Sequence, residues 1–338
     1  MLNRNRDRAE NHPAPQPSSA MNAAPQAFRP PPVPRVTVVV LTRNHVRQTI
    51  ETVARLTALP EAPDIVLADN GSTDATVALV GSLFPRVRIV QGLRNLGTAG
   101  FNRALALVHT DYAACCDDRT WWEPGALAQA VRLLDAHPRV AVLDAQVAGA
   151  GHAATDPPPG GDSPGGDHDA ALPGPALASY AAGACVLRVS VFRALGGYDE
   201  RLRQGAAEAL AALDLLSAGH AIVHGDDVLA HRAPPRRTGN AAARCALARN
   251  AAWVAWMRLP VRDALGATAH ALAVFARQRA LGPAGLALFA GTRWALARRH
   301  VVPRQVAQLY RACRAQREAH AGIPELAEKE DRSGQRAW

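Results

Sequence analysis

Short apolar runs alternate along the first half of the chain with segments whose apolar residues recur at helical spacing. The clearest runs are 36–41 and 65–68, and polar residues able to cap a helix follow each of them. The segment between them carries one apolar stripe, made of Val46, Ile50, Val53 and Leu56. This order of strand, helix and strand predicts two parallel strands joined by a crossover helix.

The same alternation continues to about residue 143. It predicts helices at 74–83, 99–109 and 124–136, and strands at 87–90, 112–116 and 140–143. A further short strand is expected within 222–231. Alternating short strands and helices predict an α/β fold with a mostly parallel, Rossmann-like central sheet flanked by helices on both faces.

Composition divides the chain into four parts. Residues 1–34 are rich in Pro and Ala and are expected to form a disordered leader. Residues 35–258 form the predicted main domain, in which the Gly- and Pro-rich segment 149–176 is a flexible loop. Residues 259–325 are expected to form a helical extension, and 326–338 a charged tail.

The charge balance narrows the choice of partners. The chain of 338 residues has a formal net charge of +9, and this charge comes from arginine, since Lys329 is the sole lysine. Such a balance fits anionic nucleotides or an acidic membrane surface, and is weak evidence for binding nucleic acid. Five cysteines without regular spacing match neither a disulfide scaffold nor a zinc pattern. Without an apolar signal core or an apolar run of 18 residues, we expect a cytoplasmic protein.

Candidate chemistry follows three of the predicted strands. Asp69 ends the second strand, where ligands of open α/β sheets bind, although the same residue could simply cap a turn. The segment 94–103 contains glycines that allow close approach to a ligand, and a helix start that favours an anion. Asp117 and Asp118 end another strand and provide hard oxygen ligands for a divalent cation, or else form a solvated turn.

Five blocks in this order resemble the family 2 glycosyltransferases with the GT-A fold, especially the rhamnosyltransferase-like branch. The blocks are 37–44, 68–74, 94–103, 117–127 and 182–200. The resemblance spans about 36–258 and implies the inverting transfer of a sugar from a nucleotide-diphosphate donor.

By position, the resemblance implies a donor pocket and a divalent metal, Mg²⁺ or Mn²⁺, on the diphosphate. The residues implied to contact the nucleotide sugar are Thr42, Asn44, Asp69, Asn95, Gly97, Asn102 and Asp117. The implied metal ligands are Asp117, Asp118 and His231. For His231, a packed or surface histidine is an equal alternative.

Two departures from the family pattern concern the reaction itself. The acidic block that supplies the general base in relatives keeps only Glu208, which could also be a solvated helix residue. Arg119 stands where a second metal-binding acid is expected, and could weaken or replace the metal by neutralising the diphosphate. Alternatively, Asp118 becomes the ligand after a small shift.

The resemblance therefore implies a hexosyltransferase acting on a cell-surface glycan or a lipid-linked acceptor, with rhamnose as a candidate donor sugar. A catalytically weak relative that binds nucleotide sugars or joins a complex is the main alternative. A nucleotidyltransferase would normally have a Gly-rich loop and a lysine after 36–41, and neither is present. Trp253, Trp256 and Trp294 could form a basic surface for peripheral contact with the inner face of the membrane, or could pack helices together.

Overall fold

The computed structural model of the chain describes residues 35–148, 172–234 and 241–315. Eight strands form one sheet in the order β3-β2-β1-β4-β7-β6-β8-β5. The strands are β1 Val36–Thr42, β2 Asp64–Asp69, β3 Arg88–Gln91, β4 Tyr112–Asp117, β5 Thr120–Trp122, β6 Val140–Ala148, β7 Ala184–Arg188 and β8 Ala221–Arg232.

Helices flank this sheet. They are α1 Val46–Thr57, α2 Thr76–Leu83, α3 Phe101–Leu105, α4 Ala126–Ala136, α5 Val189–Ala194, α6 Ala207–Ser217, α7 Ala241–Arg258, α8 Val261–Arg277 and α9 Leu281–Ala297. Short 3-10 helices lie at Gly97–Gly100 and Glu200–Leu202. The predicted leader, the tail and most of the predicted loop 149–176 lie outside the described residues.

The α/β fold class is confirmed, and the sheet is mixed. Four of the seven pairings among the described strands are parallel: β1 with β2, β1 with β4, β2 with β3, and β6 with β8. Strand β7 runs antiparallel to both β4 and β6, and β5 runs antiparallel to β8. The parallel half of the sheet contains the strands that the sequence predicts to end at candidate functional residues.

The helix predicted at 99–109 is shorter in the structure. It consists of a 3-10 turn followed by α3, which ends at Leu105. The guanidinium of Arg193 donates hydrogen bonds to the backbone carbonyls of Leu105 and Val108. These carbonyls therefore bond to a side chain from α5 instead of continuing a helix, which is a contact that local sequence does not reveal.

Side chains of each central strand alternate between two hydrophobic clusters. Val38 and Val40 pack with residues of α1, α2 and α4, whereas Val39 packs with residues of α3 and α5 to α9. In β4, Ala114 and Cys116 face the first cluster and Cys115 faces the second. Because this alternation continues beyond the strand ends, neighbouring polar residues there point to opposite faces.

The tryptophans of the C-terminal helices hold those helices together. Trp253 Nε1 donates to the Leu288 carbonyl at 2.9 Å, and its ring meets Trp294 edge-on at 5.8 Å. Trp256 Nε1 donates to Thr268 Oγ1 at 3.0 Å, which joins α7 to α8. The packing alternative is therefore the one that the structure shows for these side chains. None of the described helices is both long enough and apolar enough to cross a membrane.

Candidate active site

Three of the predicted site residues lie at the ends of strands that share one edge of the sheet. Thr42 of β1 pairs with Asp69 of β2, and Leu41 of β1 pairs with Asp117 of β4. All three strands are parallel, so their carboxyl ends open on the same side. This edge is where open α/β sheets bind ligands.

The loops after β1 and β2 are tied into one frame by side chains. Asn44 adopts a left-handed backbone with φ of 53°, and its N–H donates to Ser72 Oγ at 2.9 Å. Its side-chain oxygen accepts the Thr73 N–H at 2.7 Å. The buried Asp69 carboxylate accepts the Ser72 N–H at 3.1 and 3.3 Å. Asn44 and Asp69 thus fix the shape of this edge.

Asn70, which the sequence reasoning did not single out, positions the third loop. Its side-chain nitrogen donates to Asn95 Oδ1 and to the Gly97 carbonyl, both at 3.0 Å. Its side-chain oxygen accepts the Leu96 N–H at 2.9 Å. Asn70 is only 5% exposed, so a buried amide holds the loop that carries Asn95 and Gly97. Its place directly after Asp69 at a strand end is the signal that could have identified it.

The loop that contains Gly97 lies against the start of α6. Gly97 has φ of +59°, and a Cβ atom there would lie 1.7 Å from the Arg203 carbonyl oxygen. The next residue, Thr98, donates its hydroxyl to Glu208 Oε1 at 2.7 Å. Glu208 is half-buried in the first turn of α6. The structure therefore places the predicted base beside the predicted donor-binding segment.

Both the nitrogen and the oxygen of the Asn102 side-chain amide form hydrogen bonds within the protein. Its nitrogen donates to the Tyr198 carbonyl at 2.8 Å, and its oxygen accepts the Tyr198 N–H at 3.0 Å. A Cβ at Gly197 would lie 2.7 Å from the same oxygen. Asn102 therefore joins α3 to the Gly-Gly-Tyr segment that precedes α6.

Asp117 is paired with an arginine that the sequence reasoning did not consider. Its Oδ1 accepts the Arg119 N–H at 3.0 Å and the Thr120 hydroxyl at 2.8 Å. Its Oδ2 lies 3.5 Å from Nη2 of Arg232. The side chain of Arg119 instead donates to the Pro234 carbonyl at 3.1 Å. The cation nearest the Asp117 carboxylate is thus supplied by the end of β8.

Asp118 points to the opposite face of the sheet, toward α1. Its Oδ2 accepts the Thr42 hydroxyl at 3.0 Å and lies 2.8 Å from Nδ1 of His45. Burial raises the pKa of Asp118 above its ordinary value of 3.8, although the hydrogen bond with His45 acts in the other direction. This carboxylate is therefore already bonded within the protein.

The three predicted metal ligands do not form one group. His231 contacts the Glu123 carboxylate through Nε2, and its ring stacks on Trp121 at 5.7 Å. Asp117 and Asp118 have the separate partners given above, because side chains of successive strand residues diverge. Within 35–148, 172–234 and 241–315, no three His, Cys, Asp or Glu side chains are grouped as metal ligands. The residues present, in this arrangement, do not fit a divalent ion.

Family comparison matches the part of the chain that contains this edge. Residues 37–196 match the model of the family described as Glycosyl transferase family 2. The matched segment includes the ends of β1, β2 and β4, and it ends before Glu208 and Arg232.

Two solved glycosyltransferase structures are similar to this chain in fold. A mannosyltransferase from Pyrobaculum calidifontis, in complex with GDP-Man and Mn²⁺, superposes with a TM-score of 0.51 at 21% identity, covering 84% of this chain and 86% of that one. TarS 1–349 of S. aureus, in complex with UDP-GlcNAc, gives 0.52 at 15% identity, covering 83% and 88%. At these identities the likeness establishes the fold alone, and that fold is GT-A.

Curated relatives match over a short stretch. Three uncharacterized proteins, from Mycobacterium bovis and two strains of Mycobacterium tuberculosis, are 33% identical over 85 residues. That stretch is 23% of this chain and 25% of each relative, so the match spans about a quarter of their length.

Proposed function

We propose that this protein is a family 2 glycosyltransferase that transfers a sugar, with inversion, from a nucleotide-diphosphate sugar to an acceptor hydroxyl. The observation that carries the proposal is that the parallel strands β1, β2 and β4 place Thr42, Asp69 and Asp117 at the same edge of the sheet. This edge lies within the segment that matches the family model. Geometry and family likeness therefore point to the same place in the molecule.

The donor lies across the loops that follow β1, β2 and β3. Thr42, Asn44 and Asp69 border the base and ribose, and the loop that contains Asn95 and Gly97 approaches the diphosphate and sugar. The hydrogen bonds of Asn44 and Asn70 fix these loops before the ligand arrives. A pre-formed site of this kind avoids part of the entropy cost of binding.

Glu208 is the general base of the proposed reaction. It removes the proton of the acceptor hydroxyl while that oxygen attacks the anomeric carbon from the face opposite the leaving group. The bond between the anomeric carbon and the diphosphate oxygen breaks, and the nucleoside diphosphate departs with the electron pair. The hydrogen bond from Thr98 holds one carboxylate oxygen of Glu208 in place.

The acceptor in this proposal is a cell-surface glycan precursor or a lipid-linked saccharide at the inner face of the membrane, and rhamnose is the proposed donor sugar. Exposed apolar side chains on α9 support a membrane contact: Leu286 is 74% exposed and Phe289 is 66% exposed. The stretch 281–315 contains six arginines and no acidic residue, which favours an anionic surface.

A screen of nucleotide sugars by thermal unfolding tests the donor site. A ligand that binds only the folded state raises the unfolding temperature, so we expect one class of UDP, dTDP or GDP sugar to stabilise the protein. Asp69→Ala should abolish that shift. Asp64→Ala, at the exposed other end of the same strand, is the matched control and should retain it. The donor site is wrong if Asp69→Ala responds like the control, and the function is wrong if no nucleotide sugar stabilises the wild type.

A second candidate function is a nucleotide-sugar-binding subunit without turnover. It is favoured by the residues around Glu208, because Ala206, Ala207 and Ala209 stand where relatives carry an acidic block. This candidate predicts donor binding without hydrolysis or transfer. Donor turnover that disappears in Glu208→Gln would exclude it.

A further inference from the structure

We infer that Arg232 supplies the positive charge for the donor diphosphate, so that nucleotide binding does not require a divalent ion. The inference rests on the proposed function, since it concerns the same donor site. It starts from the position of Arg232, whose guanidinium lies beside Asp117 at the carboxyl end of β4.

Arg232 is held firmly in this position. Its Nε donates to Thr120 Oγ1 at 2.9 Å, and its Nη2 donates to the Gly183 carbonyl at 3.2 Å. The same Nη2 lies 3.5 Å from Asp117 Oδ2, and the side chain is only 19% exposed. The guanidinium is therefore oriented by three groups, two from 117–120 and one from Gly183.

The same contacts make Asp117 a poor ligand for a divalent ion. Its Oδ1 already accepts hydrogen bonds from the Arg119 N–H and the Thr120 hydroxyl. A cation on Oδ2 would sit next to the guanidinium of Arg232, and like charges at that range repel. Asp118 and His231 are bonded to other groups, and among the described residues no set of three His, Cys, Asp or Glu side chains is grouped to hold a cation there.

The guanidinium also has capacity for a ligand. Arginine has five N–H donors in a planar fork that suits phosphate oxygens. Within the described part of the chain, the hydrogen bonds and ion pair of Arg232 use Nε and Nη2, so the two N–H groups of Nη1 can donate to a ligand. Arg119, the residue considered from sequence, is directed to the Pro234 carbonyl instead.

Calorimetry with a nucleoside diphosphate tests the inference directly. UDP, dTDP and GDP are titrated into the protein with EDTA and then with Mn²⁺, and the nucleotide that binds is used for the variants. We expect the affinity of the wild type to agree within about twofold between the two buffers. Arg232→Gln should weaken binding in EDTA by about tenfold or more, since a charged hydrogen bond is lost. Arg132→Gln, on the exposed side of α4, is the control and should bind like the wild type.

The inference is overturned if Mn²⁺ strengthens nucleotide binding to the wild type by about tenfold or more, or if Arg232→Gln binds normally in EDTA. If Arg232→Gln does not fold, Arg232→Lys replaces it; retained binding in EDTA supports the inference, and a new need for Mn²⁺ opposes it. Electron paramagnetic resonance of Mn²⁺ with the nucleotide-free wild type gives an independent measurement, in which tight stoichiometric binding also opposes the inference. If no nucleotide binds in either buffer, the proposed function itself has failed.

Discussion

The hydroxyl of Thr98 donates a hydrogen bond of 2.7 Å to Oε1 of Glu208. These residues are 110 positions apart in the chain, and the bond joins the 3-10 turn after β3 to the first turn of α6. An acidic side chain in a first helical turn is also favoured by the helix dipole. The bond from Thr98 thus positions the Glu208 side chain between the loop after β3 and the start of α6.

Replacing Glu208 separates base catalysis from donor binding. Glu208→Gln keeps the shape of the side chain and its bond to Thr98 but cannot accept a proton. We expect kcat to fall by at least about 100-fold while the donor dissociation constant changes by less than about twofold. Glu51→Gln, on the exposed part of α1, serves as the control. Transfer assays and calorimetry on the same preparations measure both quantities, and unchanged kcat would rule out Glu208 as the base.

Two glycines with left-handed backbones should respond differently to alanine. Gly97 has φ of +59° and an Arg203 carbonyl where a Cβ would be, whereas Gly125 has φ of +90° and open space. Gly125→Ala should lower the free energy of unfolding by about 1 kcal/mol from backbone strain alone. Gly97→Ala should cost about 3 kcal/mol or more, since the loop must also move. Urea unfolding measures both, and equal losses would contradict the close packing of this loop on residue 203.

The carboxylate of Asp135, at the end of the sheet opposite the proposed site, makes the stability of the protein depend on pH in the acid range. The hydroxyl of Tyr112 donates to Asp135 Oδ1 at 2.6 Å, and Arg35 bonds the other oxygen. These two bonds, Tyr112 first, lower the pKa of Asp135 below its ordinary value of 3.8. A lowered folded-state pKa gives stability that is present above the unfolded value and is lost as pH falls through the folded value.

Asp135→Asn should therefore flatten the decline of stability in acid. We expect its free energy of unfolding to fall less than that of the wild type between about pH 5 and pH 3. Asp64→Asn, an exposed residue at the start of β2, should decline as the wild type does. Urea unfolding across this pH range measures the slopes, and identical slopes in Asp135→Asn and wild type would contradict the bonding at Asp135.

The exposed apolar face of α9 gives a prediction about membranes. Leu286, Phe289 and Arg293 recur at helical spacing on the exposed side of the helix. The double change Leu286→Gln and Phe289→Gln should reduce sedimentation with phosphatidylserine vesicles by about tenfold, because apolar side chains no longer enter the interface. Leu83→Gln is the matched control, because Leu83 on α2 is also an exposed leucine, with 56% exposure. Equal sedimentation of the double variant and the wild type would show that α9 is not the contact.

The local pattern of apolar and polar residues was sufficient to predict the strands in the parallel half of the sheet. The apolar runs before Thr42, Asp69 and Asp117 are short and directly followed by polar residues, so both the strands and their shared edge could be predicted. Strand β5 could not, since its three residues are too short to produce a pattern and are ordered by pairing with β8. That same pairing sets Thr120 opposite Arg232.

The side-chain partners at the site could not be predicted from sequence, because they are contacts between segments that are distant in the chain. Arg232 follows His231 in sequence, but the alternation of strand residues sends the two side chains to different partners, Asp117 and Glu123. Comparison of positions with the family pattern identified His231 as a metal ligand and Arg119 as the cation for the diphosphate. It could not identify Arg232, because the register between β5 and β8 cannot be deduced from either segment alone. Asn70 was missed for a similar reason, since its bonds are with a loop 25 to 27 residues away.

The paired bonds between Asn102 and Tyr198 make one amide side chain behave as a short piece of backbone. They give α3 and the Gly-Gly-Tyr segment a fixed register, as a pair of ladder bonds would between two strands. A chimaera made from this protein and a relative must therefore preserve the Asn102–Tyr198 contact, even though neither residue takes part in the proposed reaction. If the part of the chain after residue 196 comes from a relative, Asn102 keeps both hydrogen bonds only when the relative's backbone places an N–H and a C=O where those of Tyr198 lie.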